Sequence, residues 1–369
     1  MFQQIFNTID EKYILDITNS ASDNDVLRVL DKEKLEWEDF LILISNCAEK
    51  YLEPMAKKAH NISLQRFGKT IQLYAPIYLS NECVNKCKYC GFNADVDIKR
   101  KTLTIEEFKK ELDFLVKKGF CNILLVAGED KNAVNMEYLK EILKIALDEC
   151  CFVALEIYAL TQDEYKILRQ AGANGVTLYQ ETYNKKIYED IHDGPKKDFL
   201  NRLNASDYIC NTKYRNIGIG ALLGLSDWRI DAGFLALHAQ YLMKNYWQTK
   251  VSVSVPRLRE VPEGFKINYK VTDKNIVQLI TAFRIFLNDA GIVLSTREPK
   301  ELRDNLIPLG ITQMSAGSKT SPCGYSETAE LEQFAVSDNR DVFEVAQIIS
   351  EKGYDPVSKD WEGTFNNAD

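Results

Sequence analysis

The chain has 369 residues, 45% of them apolar, enough to bury a sizeable core and to fill a single large barrel with added segments. Its 46 basic and 54 acidic residues leave a formal charge of −8, which argues against a nucleic acid or an anionic membrane as partner. The nine cysteines are odd in number and unevenly spread, unlike a disulfide framework; with no basic-then-apolar leader in Met1 to Asp10 and no run long enough to span a bilayer, the expectation is a cytoplasmic protein.

Residues 1–70 read as a helical lead-in, with polar starts before Val26-Leu27 and Trp37. A long amphipathic stretch from Ala48 to Phe67 follows, in which Glu53-Pro54 marks a start or a kink. From there, short apolar runs alternate with helical patterns. The runs are Ile71–Leu79, Asn122–Ala127, Phe152–Ile157, Gly175–Leu178, Ile217–Ala221, Val251–Val255, Ile292–Ser295 and Ile311–Ser315. Thr104-x-x-Glu107 and Thr161-x-x-Glu164 are capping boxes, Thr272 resembles an N-cap, and Gly119, Gly172 and Gly291 stand where helices would end. Eight strand–helix alternations match an α/β fold of the (β/α)8 TIM-barrel type over residues 71–320. The tail, 321–369, with its helix pattern from Val342 to Glu351, is expected to pack on the barrel. An open doubly wound sheet competes, but its first turn would carry a Gly-rich phosphate loop where cysteines stand here. Cys47, Cys121, Cys150, Cys151 and Cys210 fall on apolar stretches and read as separate buried thiols; Lys99-Arg100-Lys101 reads as solvated surface.

A barrel predicts that unusual polar residues gather just after the strands, where such folds place their sites. After the first run comes Asn81-Glu82-Cys83-Val84-Asn85-Lys86-Cys87-Lys88-Tyr89-Cys90-Gly91-Phe92-Asn93, three cysteines at C-x3-C-x2-C spacing. Three thiolates suit an iron–sulfur cluster that keeps one iron open. A zinc site is the alternative and would need a fourth ligand; none of His60, His192 and His238 is near in sequence. Gly128-Glu129 follow the second run, Glu156 and Tyr158 the third, Gln180-Glu181 the fourth, and Leu223-Gly224 the fifth. Arg257 and Arg259 follow the sixth, Arg297-Glu298 the seventh, and Gln313 to Ser318 the eighth.

The cysteine spacing, with Tyr89 just before the last thiol, resembles the signature of radical S-adenosyl-L-methionine (SAM) enzymes. Longer stretches resemble the ThiH family, the tyrosine lyases (2-iminoacetate synthases) of bacterial thiazole biosynthesis. They are Tyr78-Leu79-Ser80-Asn81, Cys90-Gly91-Phe92, Tyr179-Gln180-Glu181-Thr182-Tyr183-Asn184, Gly220-Ala221-Leu222-Leu223-Gly224-Leu225-Ser226-Asp227-Trp228 and Met314-Ser315-Ala316-Gly317-Ser318. Cys323 departs from this pattern, where a Gly would be expected.

The resemblance implies a 4Fe–4S cluster held by Cys83, Cys87 and Cys90, with SAM on the open iron. It places Tyr89 against adenine, Gly128-Glu129 at the amino group of SAM, and Glu181 with Arg202 at its polar ends; Glu156 and Tyr158 join this cofactor-facing set. Arg297 would take the carboxylate of L-tyrosine, a fork of donors meeting an anion. Arg257, Arg259, Gln313, Ser315 and Ser318 are further substrate candidates, and no catalytic base is singled out. The implied reaction breaks the Cα–Cβ bond of tyrosine, fed by a flavodoxin or ferredoxin-type electron donor, and hands its product to thiazole synthase. The related tyrosine lyases of hydrogenase maturation carry a second cluster on a C-terminal extension, whereas no cysteine follows Cys323 here. A non-enzymatic iron–sulfur or zinc scaffold is the remaining alternative.

Overall fold

The computed structural model describes residues 1–259, 262, 264–326 and 332–358. Eight parallel strands follow one another around a closed barrel: β1 (Thr70–Ser80), β2 (Asn122–Ala127), β3 (Phe152–Glu156), β4 (Gly175–Thr177), β5 (Asn216–Gly220), β6 (Lys250–Ser254), β7 (Gly291–Leu294) and β8 (Gln313–Ser315). Closure is at β1, which pairs β8 through Gln72–Tyr74 and β2 through Ala75–Ser80. The expected barrel is therefore observed and the open sheet excluded. The β1–β2 register slips between Tyr78 and Ser80, and such an irregularity re-aims the chain as it leaves for the cysteine loop.

The helices between strands start where the sequence signals them. Thr104, Thr161 and Thr272 each accept a hydrogen bond from the amide three residues on, closing a capping box. Gly119 and Gly172 end their helices at positive φ, but Gly291 opens β7 instead. A Cβ there would meet the Ser252 Cβ at 3.0 Å across the β6–β7 pair, so strand contact rather than helix termination explains that glycine.

The lead-in helices bury Phe40, Leu41 and Trp37 against the outer helices Trp228–Asn245 and Asp273–Phe286, the Trp37 indole donating to the Gly233 carbonyl at 2.8 Å. Pro54 sits in the first turn of helix Leu52–Phe67, where its missing N–H removes no helical bond. The helix Val342–Glu351 is followed by a short ninth strand, β9 (Asp355–Val357), that the sequence did not announce; it pairs with Thr70–Gln72 beside the barrel closure.

One cysteine expectation is corrected. Cys121 and Cys151 are joined in a disulfide between the segments entering β2 and β3, whereas Cys47, Cys83, Cys87, Cys90, Cys150 and Cys210 are free thiols. The β2–β3 register, Asn122 opposite Phe152, makes Cys121 and Cys151 neighbours across the pair, a proximity that linear spacing conceals.

Candidate active site

The cysteine loop is built from backbone pins. Asn81 brackets Lys101, accepting from its amide at 2.6 Å while donating its own amide nitrogen to the Lys99 carbonyl at 2.9 Å. Arg100 is not solvated surface. Its guanidinium donates to the carbonyls of Asn81, Phe92, Asn93 and Val96 at 2.7–3.1 Å, gathering both ends of the loop around one cation. On the other side, Lys86 and Lys88 amides donate to the carbonyls of Asp193 and Ile191. Asn85 donates to Glu129 at 2.6 Å and toward the Cys83 sulfur at 3.8 Å, and accepts from the Lys196 amide at 2.8 Å. Gly128 passes so close that a Cβ would stand 2.3 Å from the Glu82 carbonyl oxygen, which is why this position is bare.

The three thiols line one side of a cavity of about 760 Å3, part of it open to solvent. Burial pushes the Cys87 thiol up to about 12, with Cys90 and Cys83 adding to the rise and Lys196 opposing it. Burial also raises Cys90, against the Phe92 amide that donates to its sulfur at 3.4 Å. Thiols so placed ionise when a cationic centre compensates them. Among the described residues no group of three His, Cys, Asp or Glu is drawn together tightly enough to hold a single metal ion. Thiols spread around a cavity fit a polynuclear iron–sulfur cluster, each thiolate binding a different iron.

Across the cavity an ionic cluster faces the thiols. Glu181 holds a left-handed φ of 70° and meets Lys196 Nζ at 2.8 Å and Arg202 Nη2 at 3.6 Å. Burial works against its charge, yet Lys196 and Arg202 keep the carboxyl below its ordinary value. Arg202 also donates through Nε to the Tyr179 carbonyl at 2.5 Å. Tyr89 is buried, its hydroxyl 2.9 Å from His192 Nε2 and its ring 5.8 Å from Lys196 Nζ. His192 Nδ1 faces the Tyr188 carbonyl at 2.8 Å, so Nδ1 carries the proton and Nε2 accepts from Tyr89. Burial, then the Lys196 charge, lowers the His192 imidazolium to about 3, so it stays neutral. Tyr158 also lines the cavity, its hydroxyl donating to the Val134 carbonyl at 2.5 Å.

A second cavity of about 530 Å3 continues from the first, sharing Val126, Glu156, Tyr179, Pro256 and Arg297 with it. At this junction stand two groups of opposite charge. Glu156, at the end of β3, has no hydrogen-bond or ion-pair partner among the described residues; burial raises its carboxyl to about 7 while Arg297 opposes the rise. Arg297 lies 3.6 Å over the Phe334 ring and likewise has no carboxylate partner among the described residues. Ser315 and Ser318 line the second cavity. Ser315 Oγ already accepts from the Thr296 amide at 3.1 Å, whereas the buried Ser318 Oγ has no partner among the described residues.

Three substrate candidates stand elsewhere. Arg257 is bound by Glu298, with Nε at 2.9 Å from Oε1, and also meets Asp273 at 2.8 Å. Arg259 meets the same Glu298 at 2.6 Å. Both line an outer groove rather than the two joined cavities, and their charge is spent on carboxylates of the chain itself. Gln313 lines a third cavity inside the barrel, not walled off from the second, since Tyr74, Leu124 and Tyr179 line both alike. Conversely, Lys196, Asn85, His192, Gln333 and Phe334 were not anticipated. The only sequence signal for Lys196 was its place between Glu181 and Arg202.

Residues 77–232 match the Radical SAM superfamily, and residues 254–355 match the Biotin and Thiamin Synthesis associated domain. The chain is 41% identical to the 2-iminoacetate synthase of Salmonella typhimurium, over 95% of this chain and 94% of that protein. It is 40% identical to the 2-iminoacetate synthase of Escherichia coli over the same shares. The crystal structure of the FeFe-hydrogenase maturase HydG from Carboxydothermus hydrogenoformans superposes with a TM-score of 0.88 at 34% identity, covering 96% of this chain and 85% of that one. Such kinship implies an iron–sulfur cluster and SAM, in keeping with the three thiols on the cavity wall. The chain belongs to the 2-iminoacetate synthase family of radical SAM enzymes.

Proposed function

We propose that the protein is a radical SAM lyase that cleaves the Cα–Cβ bond of L-tyrosine to 2-iminoacetate and p-cresol, with 5′-deoxyadenosine and methionine as coproducts. The observation that carries this reading is the junction of the two cavities. An arginine and a carboxylate without partners among the described residues face a space continuous with the three-thiol loop. A zwitterionic amino acid supplies the complementary charges, its carboxylate to Arg297 and its ammonium to Glu156.

A 4Fe–4S cluster on Cys83, Cys87 and Cys90, together with SAM, supplies the 5′-deoxyadenosyl radical when bound. The chain's own residues hold and orient. Glu129, fixed by Asn85, and the Glu181–Lys196–Arg202 cluster offer charges of both signs to the polar end of SAM, while Tyr89 and Tyr158 give aromatic surface on the same wall. Gly128 leaves backbone room for close approach. Arg297 fixes the tyrosine carboxylate, Ser318 offers a hydroxyl, and Tyr74, Tyr78 and Tyr179 wall the second cavity where an aromatic side chain fits. Glu156 is the group placed to take a proton from the substrate ammonium, since its carboxyl titrates near neutrality.

The chain divides into a lead-in to residue 70, a barrel to 320 and a tail beyond. No helix among the described residues is long and apolar enough to cross a membrane. A cytoplasmic setting, a flavodoxin or ferredoxin-type electron donor and delivery of 2-iminoacetate to thiazole synthase complete the reading. The test is product analysis of the anaerobically reconstituted protein with a low-potential reductant, SAM and tyrosine. Formation of p-cresol supports the reading; SAM cleavage without p-cresol removes the tyrosine assignment, and no SAM cleavage removes the radical one.

A further inference from the structure

The segment around Gln333 touches both ends of the joined cavities. Its backbone is clasped on two sides: Gly91 donates to the Gln333 carbonyl at 3.3 Å, and the Gln333 amide donates to the Thr320 carbonyl at 2.9 Å. The clasp is tight enough that a Cβ at Gly91 would come 2.8 Å from the Gln333 oxygen, so the glycine beside Cys90 is matched to this segment. The side chain reaches inward. The Tyr78 hydroxyl donates to Gln333 Oε1 at 2.8 Å, and Gln333 Nε2 points its hydrogens at the Cys90 sulfur, 3.7 Å away. The contact with Cys90 selects this amide orientation, because the reverse would set a carbonyl oxygen against a thiolate, whereas the Tyr78 hydroxyl could donate or accept in either. The next residue, Phe334, is the ring beneath Arg297.

We propose that Gln333 is a positioning residue of the thiol loop, whose amide, aimed by Tyr78, donates to the Cys90 sulfur and raises the reduction potential of the cluster held there. This rests on the iron–sulfur reading of the three thiols. A hydrogen bond to a ligating thiolate stabilises the more negative, one-electron-reduced state over the oxidised one. The electron comes from an external low-potential reductant, and Gln333 forms and breaks no covalent bond. The Phe92 amide already donates to the same sulfur, so Gln333 is the second donor on Cys90 and comes from the far end of the chain.

The experiment is a dithionite-poised redox titration of the anaerobically reconstituted full chain, followed by electron paramagnetic resonance, for wild type, Gln333→Leu, Gln333→Ala and Tyr78→Phe. Iron and sulfide are assayed in each. The two Gln333 variants keep the backbone clasp and are expected to retain wild-type iron and sulfide with a lower midpoint potential. Tyr78→Phe keeps the donor but frees its orientation and gives a smaller shift of the same sign. Wild-type midpoints in both Gln333 variants overturn the assignment. Loss of cluster together with helical circular dichroism in both also overturns it, because Gln333 is then a folding residue. The readout needs no tyrosine. A lowered midpoint in a protein that makes no p-cresol removes the substrate reading alone, and unchanged midpoints in a protein that makes p-cresol remove the Gln333 assignment alone.

Discussion

Replacing Arg297 by alanine separates binding from folding in a way few site substitutions do. Arg297 has no ion-pair partner among the described residues, so its removal breaks no salt bridge; the fold loses its stacking on Phe334, worth roughly 0.5–2 kcal/mol, and the opposing charge that it sets near the buried Glu156. The substrate loses more. Two charge-assisted hydrogen bonds from a guanidinium fork to a carboxylate contribute about 1.5–3 kcal/mol each, so kcat/KM for tyrosine should fall by roughly a hundredfold to twenty-thousandfold. Arg297→Lys keeps the charge but not the fork and should fall between the two. The assay is p-cresol release under anaerobic turnover, with thermal unfolding and iron content measured alongside. An Arg297→Ala protein with wild-type iron content and kcat/KM within threefold of wild type would refute the carboxylate assignment.

Glu156 gives a pH prediction that needs no cofactor. Its carboxyl is raised from 4.5 to about 7 by burial, so below pH 4.5 it is protonated folded or unfolded and costs nothing. Between pH 4.5 and 7 the folded state holds the proton the unfolded state has lost, so stability falls as pH rises, by on the order of 3 kcal/mol once above pH 7. Glu156→Gln should therefore unfold at a higher temperature than wild type at pH 8 and at nearly the same temperature at pH 4.5, while losing turnover; equal melting temperatures at pH 8 would count against the unpaired buried carboxylate. Arg100→Leu removes the cation that gathers four loop carbonyls and should cut reconstituted iron content severalfold with little loss of helical circular dichroism. Full iron loading in that variant would show that the loop holds its shape without Arg100.

Much of the barrel was legible because each strand is a short apolar run and several of the following helices begin at a threonine with its partner three residues on. The ninth strand was not, since Asp355-Pro356-Val357 has neither length nor alternation and is recognised only by the edge it finds at Thr70–Gln72. The thiols, Glu129, Glu181 and Arg202 were legible through resemblance and strand-end position, and they face one cavity. Arg257 and Arg259 were misplaced for an intelligible reason. Alternation says two residues share a side without saying which side, and Glu298, next to the arginine that does face the cavity, claims both. Lys196 and Gln333 carry no motif. They reach the site because the chain after β4 and the tail after β8 fold back across the barrel mouth, a three-dimensional fact that a lone lysine and a lone glutamine do not advertise.

The central claim is that the space between the thiol loop and Arg297 seats tyrosine for radical cleavage. Its most direct measurement is p-cresol formation by the reconstituted wild-type protein with SAM, tyrosine and a low-potential reductant, beside a Cys87→Ala control. p-Cresol in step with 5′-deoxyadenosine from the wild type and neither from the control is the predicted result; p-cresol from the control, or 5′-deoxyadenosine from the wild type with no p-cresol, would contradict it.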